Sequence, residues 1–586
     1  MLPAPPFVLL DDARPGAAPA RLYAGPVEIV EASGEGEVGP ALDRLKAARG
    51  RGLHAAGFLT YEASEELEPS AWPRPAGGEV PRLWFGLFDS YAEIDDVPAL
   101  LPDPAGAWAG KPQPWITSDQ YGEQFAQVEE LIAAGDIYQA NLTFRAWVRR
   151  AGPPGALYAL LRARAAAGYG ALVATGEQYL LSFSPELFFT VEQGRLTARP
   201  MKGTAIRGGS PEEDEALAEA LASDPKQRAE NLMIVDLMRN DLSRVARPGS
   251  VEVPQLFHVE RYPTVHQMVS TVTATLEDGL GAIDALTSLF PCGSVTGAPK
   301  VRAMQIIGEV EGAARNIYTG SIGRLDANGD AMFNVAIRTL MLDPTSDAAV
   351  LGLGSGIVAD SQLDEEWAEC LAKGAFVTAG ETAFDLIETM AFDPERSIPL
   401  LERHLARMRA SAQLFGFAFD RHGVRNELQA ATFRLREPSR IRLLLARSGA
   451  IAIGIAPMPA LPEGPVKAAI LPQPVAPDDF RLAHKTSRRG FYTRDPDAFE
   501  TLYVDAEGFL TEGSFTSIFV ERNGTLITPP LSRGLLPGVL RAELIETGRA
   551  VEGDLTPADL ESGFFIGNAL RGLVSAVTFA RAHAAP

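Results

Sequence analysis

One series of predicted strands and helices ends near residue 375, and a new series begins by residue 382, within the segment LAKGAFVTAGETAFDL. This break limits the possible folds more strongly than any other feature of the sequence. A single hydrophobic core stops growing at roughly 250–300 residues, so a chain of 586 residues is expected to form at least two domains. We therefore predict one domain over residues 1–378, with residues 1–115 as its N-terminal part, and a second over residues 379–586.

Charge and cysteine content narrow the function classes. The formal net charge of -22 argues against binding to nucleic acid, whose phosphate backbone requires a basic surface. Two cysteines, Cys292 and Cys370, cannot form a disulfide framework, which predicts a reducing compartment. The N-terminus lacks the pattern of a signal peptide, and no apolar run approaches the roughly 18 residues of a membrane helix. We therefore expect a cytoplasmic protein without nucleic-acid or membrane partners.

Periodicity predicts the elements around the polar residues of the first half. An amphipathic helix begins at Ser118, which can cap it, and ends at Gly135. The following stretch, IYQANLTFRAWV, alternates apolar and polar side chains as a half-buried strand does. Two longer strands, over about residues 178–192 and 195–204, are joined by the hairpin signal Gln193-Gly194.

Carboxylates on two predicted helices form the first candidate site. The helix RAENLMIVDLMRNDLSRV is apolar on nearly all sides, so Glu230 near its start is expected close to the interior, where it needs a partner or a cation. In the helix QLDEEWAECLAKGA, Glu366, Glu369 and Lys373 share one face. Three carboxylates suit Mg²⁺, which takes oxygen ligands, but a solvated acidic face is the commoner explanation of such spacing.

Two glycine-rich segments favour the close approach of a ligand. GSVTGAPKVRAM opens a predicted helix and leaves backbone N–H groups free for an anion. GLGSGIVADS places glycines at a strand end, where a ligand can come near the backbone. Each segment alone is equally explained by an ordinary turn.

These segments belong to a series of short motifs with a specific order along residues 115–375. The series is GDIYQANLT, SPELFF, RPMKGT, RAENLMIVDLMRNDL, TVHQMVSTV, GSVTGAPKVRAM, YTGSIG, AIRT, GSGIVADS and EEWAE. It resembles that of the chorismate-utilising enzymes, which include anthranilate, aminodeoxychorismate, isochorismate and salicylate synthases. The resemblance implies an α/β (α+β) domain with a β-sandwich core and surrounding helices. It also favours the Mg²⁺ interpretation over a solvated face.

Positions that match the family's motifs have expected roles. The resemblance implies that Glu230, Glu366 and Glu369 surround Mg²⁺. Cationic, hydroxyl and backbone donors would bind the carboxylates of chorismate, a dianion. This substrate-binding set comprises Thr204, Tyr318, Arg338, Gly354, Gly356 and Lys373. The resemblance further implies that His266 lies near the ring and that Glu186 is the general acid toward the departing 4-hydroxyl.

Two further positions separate the members of the family. Members that attack with water carry a lysine base where this chain has Gln139, and anthranilate synthases carry alanine where it has Lys202. The aminodeoxychorismate synthases resemble this chain in having the lysine. The resemblance thus implies that Lys202 attacks carbon 2 of chorismate in a largely desolvated pocket, after which ammonia attacks carbon 4 and expels the lysine. No nucleophilic-cysteine elbow is present, so a separate glutamine amidotransferase is expected to supply the ammonia.

The second half contains a basic stretch, RLAHKTSRRGFYTRD, which on composition alone is a solvated loop. It lies among LLERHLARMRASA, FLTEGSFTSIFV, GLLPGVLRAELIE and GNALRGLVSA. This order, over about residues 382–580, resembles that of the fold-type IV pyridoxal phosphate (PLP) enzymes. A two-lobed domain is expected, with the linker PMPALPEGP between its lobes. Because such enzymes are commonly dimers, the resemblance also predicts a homodimer through this half.

The resemblance assigns five residues of the second half to the cofactor. Lys485 would bind PLP covalently and move protons, and Glu512 would pair with the pyridine nitrogen. Arg407 and the backbone of Val539 and Leu540, at a helix start, would hold the phosphate. The chain departs from the family at two positions, where Leu540 stands for the usual threonine and Ala569 for the usual serine.

Together the halves predict a bifunctional enzyme of 4-aminobenzoate synthesis, on the route to folate, that aminates chorismate and then releases pyruvate with PLP. Two alternatives stay open. The first half could make anthranilate beside an aminotransferase, although Lys202 argues against this. The second half could have lost catalysis and serve as a docking module, because Leu540 and Ala569 remove hydroxyl groups.

Overall fold

A computed structural model of the chain describes residues 1–71, 78–261, 265–460 and 462–579. Its strands, numbered in chain order, are β1 Phe7–Asp11, β2 Ala20–Ala24, β3 Glu28–Ala32, β4 His54–Leu59, β5 Leu83–Phe88, β6 Ala92–Ile94, β7 Trp108–Ala109, β8 Gln113–Pro114, β9 Gln139–Ala151, β10 Tyr169–Ala174, β11 Tyr179–Ser184, β12 Leu187–Glu192, β13 Arg195–Arg199, β14 Met201–Ile206, β15 Glu252–Arg261, β16 Val265–Thr275, β17 Gly297–Ala298, β18 Ser321–Leu325, β19 Ala331–Asn334, β20 Thr339–Leu342, β21 Ala348–Ile357, β22 Leu386–Phe392, β23 Ser439–Leu445, β24 Ile451–Pro457, β25 Val466–Pro472, β26 Glu500–Val504, β27 Leu510–Gly513, β28 Ser517–Arg522, β29 Thr525–Thr528, β30 Ala550–Glu552, β31 Phe564–Asn568 and β32 Gly572–Thr578.

The helices follow the same numbering. They are α1 Val38–Gly50, α2 Ser64–Leu67, α3 Val97–Leu100, α4 Ser118–Ala133, α5 Pro154–Ala165, α6 Pro211–Ser223, α7 Pro225–Ser243, α8 Ala282–Leu289, α9 Lys300–Val310, α10 Leu363–Lys373, α11 Leu401–Phe415, α12 Arg421–Thr432, α13 Phe480–Ala483 and α14 Val539–Glu546. Within the described ranges, none of these helices combines the length and the apolar character that crossing a membrane requires.

The first compact unit comprises residues 1–104, 111–149 and 154–379 and is built on two antiparallel sheets. In one sheet β9 is followed by β21, β20, β11, β10, β1, β2 and β6, and in the other the order is β14-β16-β13-β12-β19-β18-β4-β5-β3. Side chains of both sheets, among them Tyr23, Phe58, Trp84 and Met341, form a shared core. The opposite face of the second sheet packs against α1, α7 and α8. This arrangement confirms the predicted β-sandwich with surrounding helices.

The second compact unit comprises residues 105–110, residues 150–153 and the chain from Gly380 onward. Its antiparallel sheet β22-β23-β24 packs with α11 and α12 around Met390, Phe415 and Ile441. Its larger sheet has the order β27-β26-β25-β32-β31-β28-β29-β30, with β25 parallel to both neighbours, and encloses a separate apolar core. The two sheets with their own cores confirm the predicted two lobes. In the predicted linker, Leu461 lies outside the described residues.

Several local predictions need correction. Thr117, not Ser118, caps α4, because its hydroxyl accepts the Gln120 N–H in a capping box. The two long predicted strands are each broken at a proline, Pro185 and Pro200, which cannot donate to a strand ladder. Helix α7 is not apolar all round: it buries one face and leaves Leu232 43% exposed. The predicted hairpin at Gln193-Gly194 is confirmed, since it joins β12 to β13.

Candidate active sites in the two units

Lys202 lies on β14 at an irregularity of the strand. The β14–β16 register shifts between Met201 and Thr204, and Gly203 has φ +107°, a conformation that favours glycine. The Lys202 side chain is 23% exposed, and its Nζ atom is 3.2 Å from Oε2 of Glu230 on α7. The amine is thus paired with a carboxylate, and most of both side chains is shielded from solvent.

Two side-chain amides bind the backbone at this bulge. Asn231 Nδ2 donates to the carbonyl oxygen of Lys202 at 3.0 Å, and Gln267 Nε2 donates to that of Gly203 at 2.9 Å. The Ser270 hydroxyl in turn donates to Asn231 Oδ1 at 2.6 Å. The backbone on both sides of the Lys202–Gly203 peptide is therefore fixed by α7 and β16. Sequence reasoning missed both amides, because neither belongs to an ionisable pattern.

We expect Asn231→Ala to lower the free energy of unfolding by about 1–3 kcal/mol, since it leaves the Ser270 hydroxyl and the Lys202 carbonyl without this partner. Denaturant unfolding measures the change. Asn426→Ala is the control, because Asn426 is an exposed asparagine on another helix, α12. Equal stabilities of the two variants would contradict the clamp.

Alternate glycines of β21 form a smooth face beside Lys202. A Cβ atom on Gly352 would collide with the Tyr318 ring, at 2.0 Å from Cγ. A Cβ atom on Gly356 would stand 2.8 Å from Gln139 Nε2 and 3.1 Å from Lys202 Nζ. Between them, the carbonyl oxygen of Gly354 accepts a bond from Lys373 Nζ at 3.0 Å. Since successive side chains alternate between faces, these three glycines share one face.

The carboxyl group of Glu186 is buried next to the start of β14. Ser294 Oγ donates to its Oε1 atom at 2.7 Å, and the backbone N–H of Met201 also contacts it. Burial raises the pKa of Glu186 to about 7, although these hydrogen bonds and the charges of Lys373 and Lys202 oppose the rise. A carboxyl group with this pKa can carry a proton near neutral pH, as a general acid must.

The three carboxylates predicted to bind Mg²⁺ have other partners in this structure. Besides the Glu230–Lys202 pair, Glu366 accepts from Ser361 Oγ at 2.6 Å, and Glu369 pairs with Lys373 at 2.7 Å. Within the described residues, no group of three His, Cys, Asp or Glu side chains has a metal-binding arrangement. The donor chemistry nevertheless fits, because all three offer the oxygen atoms that Mg²⁺ prefers. Their role as ligands stays a prediction.

Lys226, which sequence reasoning missed, links the two helices that carry these carboxylates. It forms an ion pair of 2.9 Å with Asp360, just before α10. The Asp360 bond raises the pKa of Lys226, and the charges of Glu230 and Glu366 add to the rise. Both carboxylates therefore act on one amine, which indicates that α7 and α10 direct negative charge to a common region.

Among the remaining predicted substrate-binding residues, His266 and Thr204 have different hydrogen-bond partners. His266 is fully buried and bonds Asp214 at 2.9 Å, whereas its neighbour Gln267 points to the other face and accepts from Thr204 Oγ1 at 3.0 Å. The structure thus joins Gln267, not His266, to Thr204.

Arg338 has a left-handed backbone with φ 50°, and its carbonyl oxygen accepts the Phe183 N–H. Such strained positions are enriched at functional sites.

A cavity of about 770 Å³ in the second unit gathers every residue predicted to hold PLP. Its lining includes Arg407, Lys485, Glu512, Val539 and Leu540. Ala569, the second departure from the family pattern, also lines it. Six arginines face the same space, namely Arg407, Arg440, Arg442, Arg489, Arg494 and Arg571. This excess of cations suits an anionic cofactor and an anionic substrate.

Burial lowers the pKa of the Lys485 amine to about 7, and the positive charges of Arg407, Arg489 and Arg442 add to the effect against the charge of Glu388. Its backbone carbonyl accepts the Ile387 N–H at 2.9 Å, which holds the residue against β22. A neutral amine is needed to form a covalent bond with a carbonyl carbon. Lys485 therefore has the protonation behaviour of a nucleophile.

Glu512 on β27 is buried in the wall of this cavity. It accepts bonds from the Tyr492 hydroxyl and from the Leu536 N–H, the latter at 3.1 Å. Burial raises the pKa of Glu512 to about 7, although the nearby charge of Arg489 lowers it. This carboxyl group can hold or share a proton near neutrality, which fits a partner of a ring nitrogen.

The predicted phosphate site combines a cation and a helix start. Arg407 donates to both oxygens of buried Glu388, at 2.8 and 2.7 Å, and to the Pro537 carbonyl. Since a guanidinium has five N–H donors, two remain for a ligand. The first N–H groups of α14, from Val539 and Leu540, have no partner within their own helix. The hydroxyl-bearing residues Thr516 and Ser517 also line the cavity, so the donors present fit a phosphate despite the loss of a hydroxyl at Leu540.

Comparison with known proteins adds to this geometry. Residues 6–379 match the family model for chorismate binding enzymes, and residues 385–578 match that for amino-transferase class IV. Aminodeoxychorismate synthase component 1 of Klebsiella aerogenes is 40% identical over 340 residues, 54% of this chain and 75% of the relative. Anthranilate synthase component 1 of Methanothermobacter marburgensis is 36% identical over 337 residues, 54% of this chain and 72% of the relative.

A solved structure shares the fold of the first half. The crystal structure of anthranilate synthase component I from Streptococcus pneumoniae matches with a TM-score of 0.54 and 28% identity, and the match covers 62% of this chain and 92% of that chain. The two relatives and this structure carry two different activity names. Overall similarity therefore does not choose between the activities, and individual residues must.

Proposed function

The chain belongs to the chorismate binding enzymes through residues 6–379, and on this premise we propose that it makes 4-aminobenzoate in two steps. The first unit would convert chorismate and ammonia to 4-amino-4-deoxychorismate and water, and the second would split this product into 4-aminobenzoate and pyruvate. The observation that carries the proposal is the position of Lys202 Nζ, which together with Gln139 Nε2 lies where a Cβ atom on Gly356 would collide.

In the first step Lys202 acts as a covalent nucleophile. Its Nζ atom forms a bond to carbon 2 of chorismate, both conjugated double bonds of the ring shift by one position toward carbon 4, and the bond from carbon 4 to its hydroxyl oxygen breaks. Glu186 gives its proton to that oxygen, which leaves as water. Ammonia then forms a bond to carbon 4, both ring double bonds shift back to their original positions, and the bond from carbon 2 to the lysine amine breaks. A proton of the added ammonia returns to the site, so charge and atoms balance.

Side chains at two positions exclude the competing reactions of the family. Gln139 has an amide, which cannot remove a proton from water, so attack by water at carbon 2 is disfavoured. With Lys202 bound at carbon 2, ammonia is directed to carbon 4 instead of carbon 2, which disfavours the anthranilate route. The glycine face and Lys373 would hold the substrate carboxylates, with Tyr318 and Arg338 near its far end.

Glu230, Glu366 and Glu369 would hold Mg²⁺ in the proposed enzyme, and the ion would neutralise part of the substrate's negative charge. The lysines that now pair with Glu230 and Glu369 would then be released to face the substrate. A separate glutamine amidotransferase would supply ammonia. We also propose that the protein acts in the cytoplasm, a reducing compartment that suits its two buried free cysteines. The homodimer through the second half and the division of the chain near residue 379 remain part of the proposal.

In the second step the residues around the 770 Å³ cavity would bind PLP, which when bound supplies an electron sink. Lys485 would hold the cofactor and carry the proton removed from the substrate ring. Glu512 would keep the ring nitrogen protonated, and Arg407 with the α14 backbone would fix the phosphate. The substrate loses one ring proton and its enolpyruvyl group, which leaves as pyruvate once protonated. Arg440 and Arg442, on the cavity side of β23, would attract its carboxylates.

Product analysis tests the whole proposal. The protein is incubated with chorismate, Mg²⁺, PLP and ammonium chloride, and the products are separated by chromatography. We expect 4-aminobenzoate and pyruvate in equal amounts. Anthranilate with pyruvate would contradict the proposed first step, and 4-amino-4-deoxychorismate without 4-aminobenzoate would contradict the second.

The pKa of Glu186 predicts the pH dependence of the first step. A general acid must be protonated, so the rate should be highest below a pKa of about 7 and fall as the pH rises through it. Glu186→Gln should lose about a hundredfold in kcat and the alkaline decline together. Rates of 4-amino-4-deoxychorismate formation between pH 6 and 9 measure both. Glu35→Gln, an exposed control, should keep the decline, and a decline that survives in Glu186→Gln would exclude this role.

A further inference from the structure

The cavity of about 770 Å³ in the second unit contains more arginines than a cofactor phosphate needs. We propose that Arg571 and Arg440 form a binding subsite for the carboxylate on the substrate ring, opposite the reacting amine, and thereby select a ring substrate over an α-amino acid. This inference rests on the proposed function, because it concerns the substrate of the second step. It is carried by the missing counterions of these arginines, the aromatic corner beside Arg571 and the order of the cations along β23.

Most arginines of the cavity have no carboxylate partner. Arg407 pairs with Glu388 at 2.7 Å, whereas within the described residues four others form no ion pair, namely Arg440, Arg442, Arg494 and Arg571. The Nε atom of Arg571 is also buried without a hydrogen-bond partner in the described part of the chain. Burial lowers the pKa of Arg571, and the charge of Arg440 adds to this effect against that of Glu500. An anion between the two guanidinium groups stabilises both charges.

Two phenylalanine rings flank the Arg571 guanidinium. Its Cζ atom lies 5.8 Å from the centre of the Phe499 ring and 5.5 Å from that of Phe515, and the two rings meet edge to face at 6.0 Å. Arg494 also approaches Phe515, with its Cζ atom 5.1 Å from the ring centre. All four side chains line the cavity. The corner thus combines cations with flat apolar surfaces, which fits a ring that bears a carboxylate.

Hydrogen bonds fix the backbone that carries this corner. Asn568 Nδ2 donates to the Phe515 carbonyl oxygen at 3.1 Å, and Asn568 Oδ1 accepts the Arg571 N–H at 3.0 Å. Buried Glu500 accepts bonds from the hydroxyl groups of the residues before and after Phe515, at 2.6 and 2.7 Å. The two segments that carry the corner are therefore held together before a ligand arrives, which lowers the entropic cost of binding.

Strand β23 orders the cations relative to Lys485. Arg440 and Arg442 share the face opposite the buried residues of β23, about 6–7 Å apart. Arg442 is among the charges that lower the pKa of Lys485, whereas Arg440 acts on Arg571. The Arg571 corner is thus associated with the position of β23 that lies one step beyond Arg442.

This order matches the shape of the proposed substrate. In 4-amino-4-deoxychorismate the enolpyruvyl group is attached next to the amine, and the ring carboxylate lies across the ring from it. With the amine at Lys485, the enolpyruvyl carboxylate faces Arg442 and the ring carboxylate reaches Arg440 and Arg571. The carboxylate of an α-amino acid is attached to the carbon that bears the amine, so it falls short of Arg571.

Titration of the PLP-loaded full chain tests the subsite. The absorbance band of bound PLP is followed while 4-aminobenzoate is added, and separately while aniline is added, which lacks the carboxylate. We expect the unaltered protein to bind 4-aminobenzoate at least tenfold more tightly, because its carboxylate gains charge-assisted hydrogen bonds. Arg571→Ala should abolish this preference by weakening the binding of 4-aminobenzoate alone. It should also raise KM for 4-amino-4-deoxychorismate by a larger factor than it lowers kcat.

A second variant removes the other cation at a position where folding is not at risk. Arg440 is exposed, so Arg440→Ala leaves the core unchanged. We expect the same selective loss of 4-aminobenzoate binding, about threefold or more. Arg549→Ala is the matched control, because Arg549 is exposed and does not line the cavity, and it should change neither affinity.

The remaining outcomes overturn one idea or the other. If either variant keeps the full preference for 4-aminobenzoate, or if the unaltered protein has none, the two-arginine subsite is wrong. If the preference depends on both arginines but no pyruvate is released from 4-amino-4-deoxychorismate, the proposed second step fails and the subsite stands. An unaltered protein without a PLP band contradicts both.

Discussion

Lys202→Ala is expected to abolish the formation of 4-amino-4-deoxychorismate, with a loss of about a thousandfold or more in kcat. The amine is the only atom group proposed to form a bond to carbon 2, so the variant has no covalent route to carbon 4. Binding of chorismate should persist, because the glycine face of β21 and Lys373 are unchanged. With carbon 2 open to ammonia, residual turnover should shift toward anthranilate. Chromatography of the products from chorismate and ammonium measures both effects.

Two controls separate nucleophilic attack from a general loss of positive charge. Lys46→Ala removes a lysine that is 47% exposed on α1 and should leave the rate unchanged. Lys226→Ala removes an amine on which Glu230 and Glu366 act, and should weaken the rate without changing the product. Mass spectrometry of the unaltered protein, quenched during turnover without ammonia, should detect an adduct on Lys202. Full activity of Lys202→Ala would exclude the covalent route.

The sequence was sufficient for those parts of the site that depend on local pattern. The motif around Glu230 and the face shared by Glu369 and Lys373 follow from helical spacing, and the structure shows the Glu369–Lys373 pair directly. It was not sufficient for contacts set by strand register. His266 and Gln267 are adjacent, and only the pairing of β16 with β14 decides which of them meets Thr204. The amide clamp on Lys202 likewise depends on α7 packing across β14.

The sandwich and the two-lobed second half follow from the motif order, whereas element ends were less accurate. Pro185 and Pro200 end strands that periodicity alone continues, because the missing N–H interrupts the ladder. The exposed face of α7 could not be predicted from its composition, because Leu232 is an apolar residue expected in the core but is 43% exposed. The ionic partners of charged residues also could not be predicted from the sequence. The pairing of Lys202 with Glu230, for example, depends on where α7 begins relative to β14.

Both units contain buried ionisable groups whose pKa values lie near neutrality. Burial brings the pKa of Glu186 and Glu512 up to about 7 and that of Lys485 down to about 7. Each group can therefore gain or lose a proton near neutrality, which is the property that acid–base catalysis needs and that a purely structural residue rarely has. For the second unit this argues against a docking module that has lost its chemistry.

Lys485→Ala provides the decisive test for that unit, and its expected result is a loss of about a thousandfold or more in 4-aminobenzoate and pyruvate formation. Because the first unit is unaltered, 4-amino-4-deoxychorismate should accumulate at the normal rate. The absorbance band of bound PLP should appear in the unaltered protein and disappear in the variant, while Lys467→Ala, an exposed control on β25, should keep both band and activity.

The two readouts of Lys485→Ala distinguish the competing roles of the second unit. A band in the unaltered protein without pyruvate release would indicate a PLP protein with another reaction, such as transamination, and would direct attention to the missing hydroxyl at Ala569. No band at all would support a docking module. If the band and the lyase activity are lost together in the variant, both depend on the amine of Lys485. Because Lys485 shares its cavity with Glu512 and Arg407, this result would assign the lyase step to this cavity.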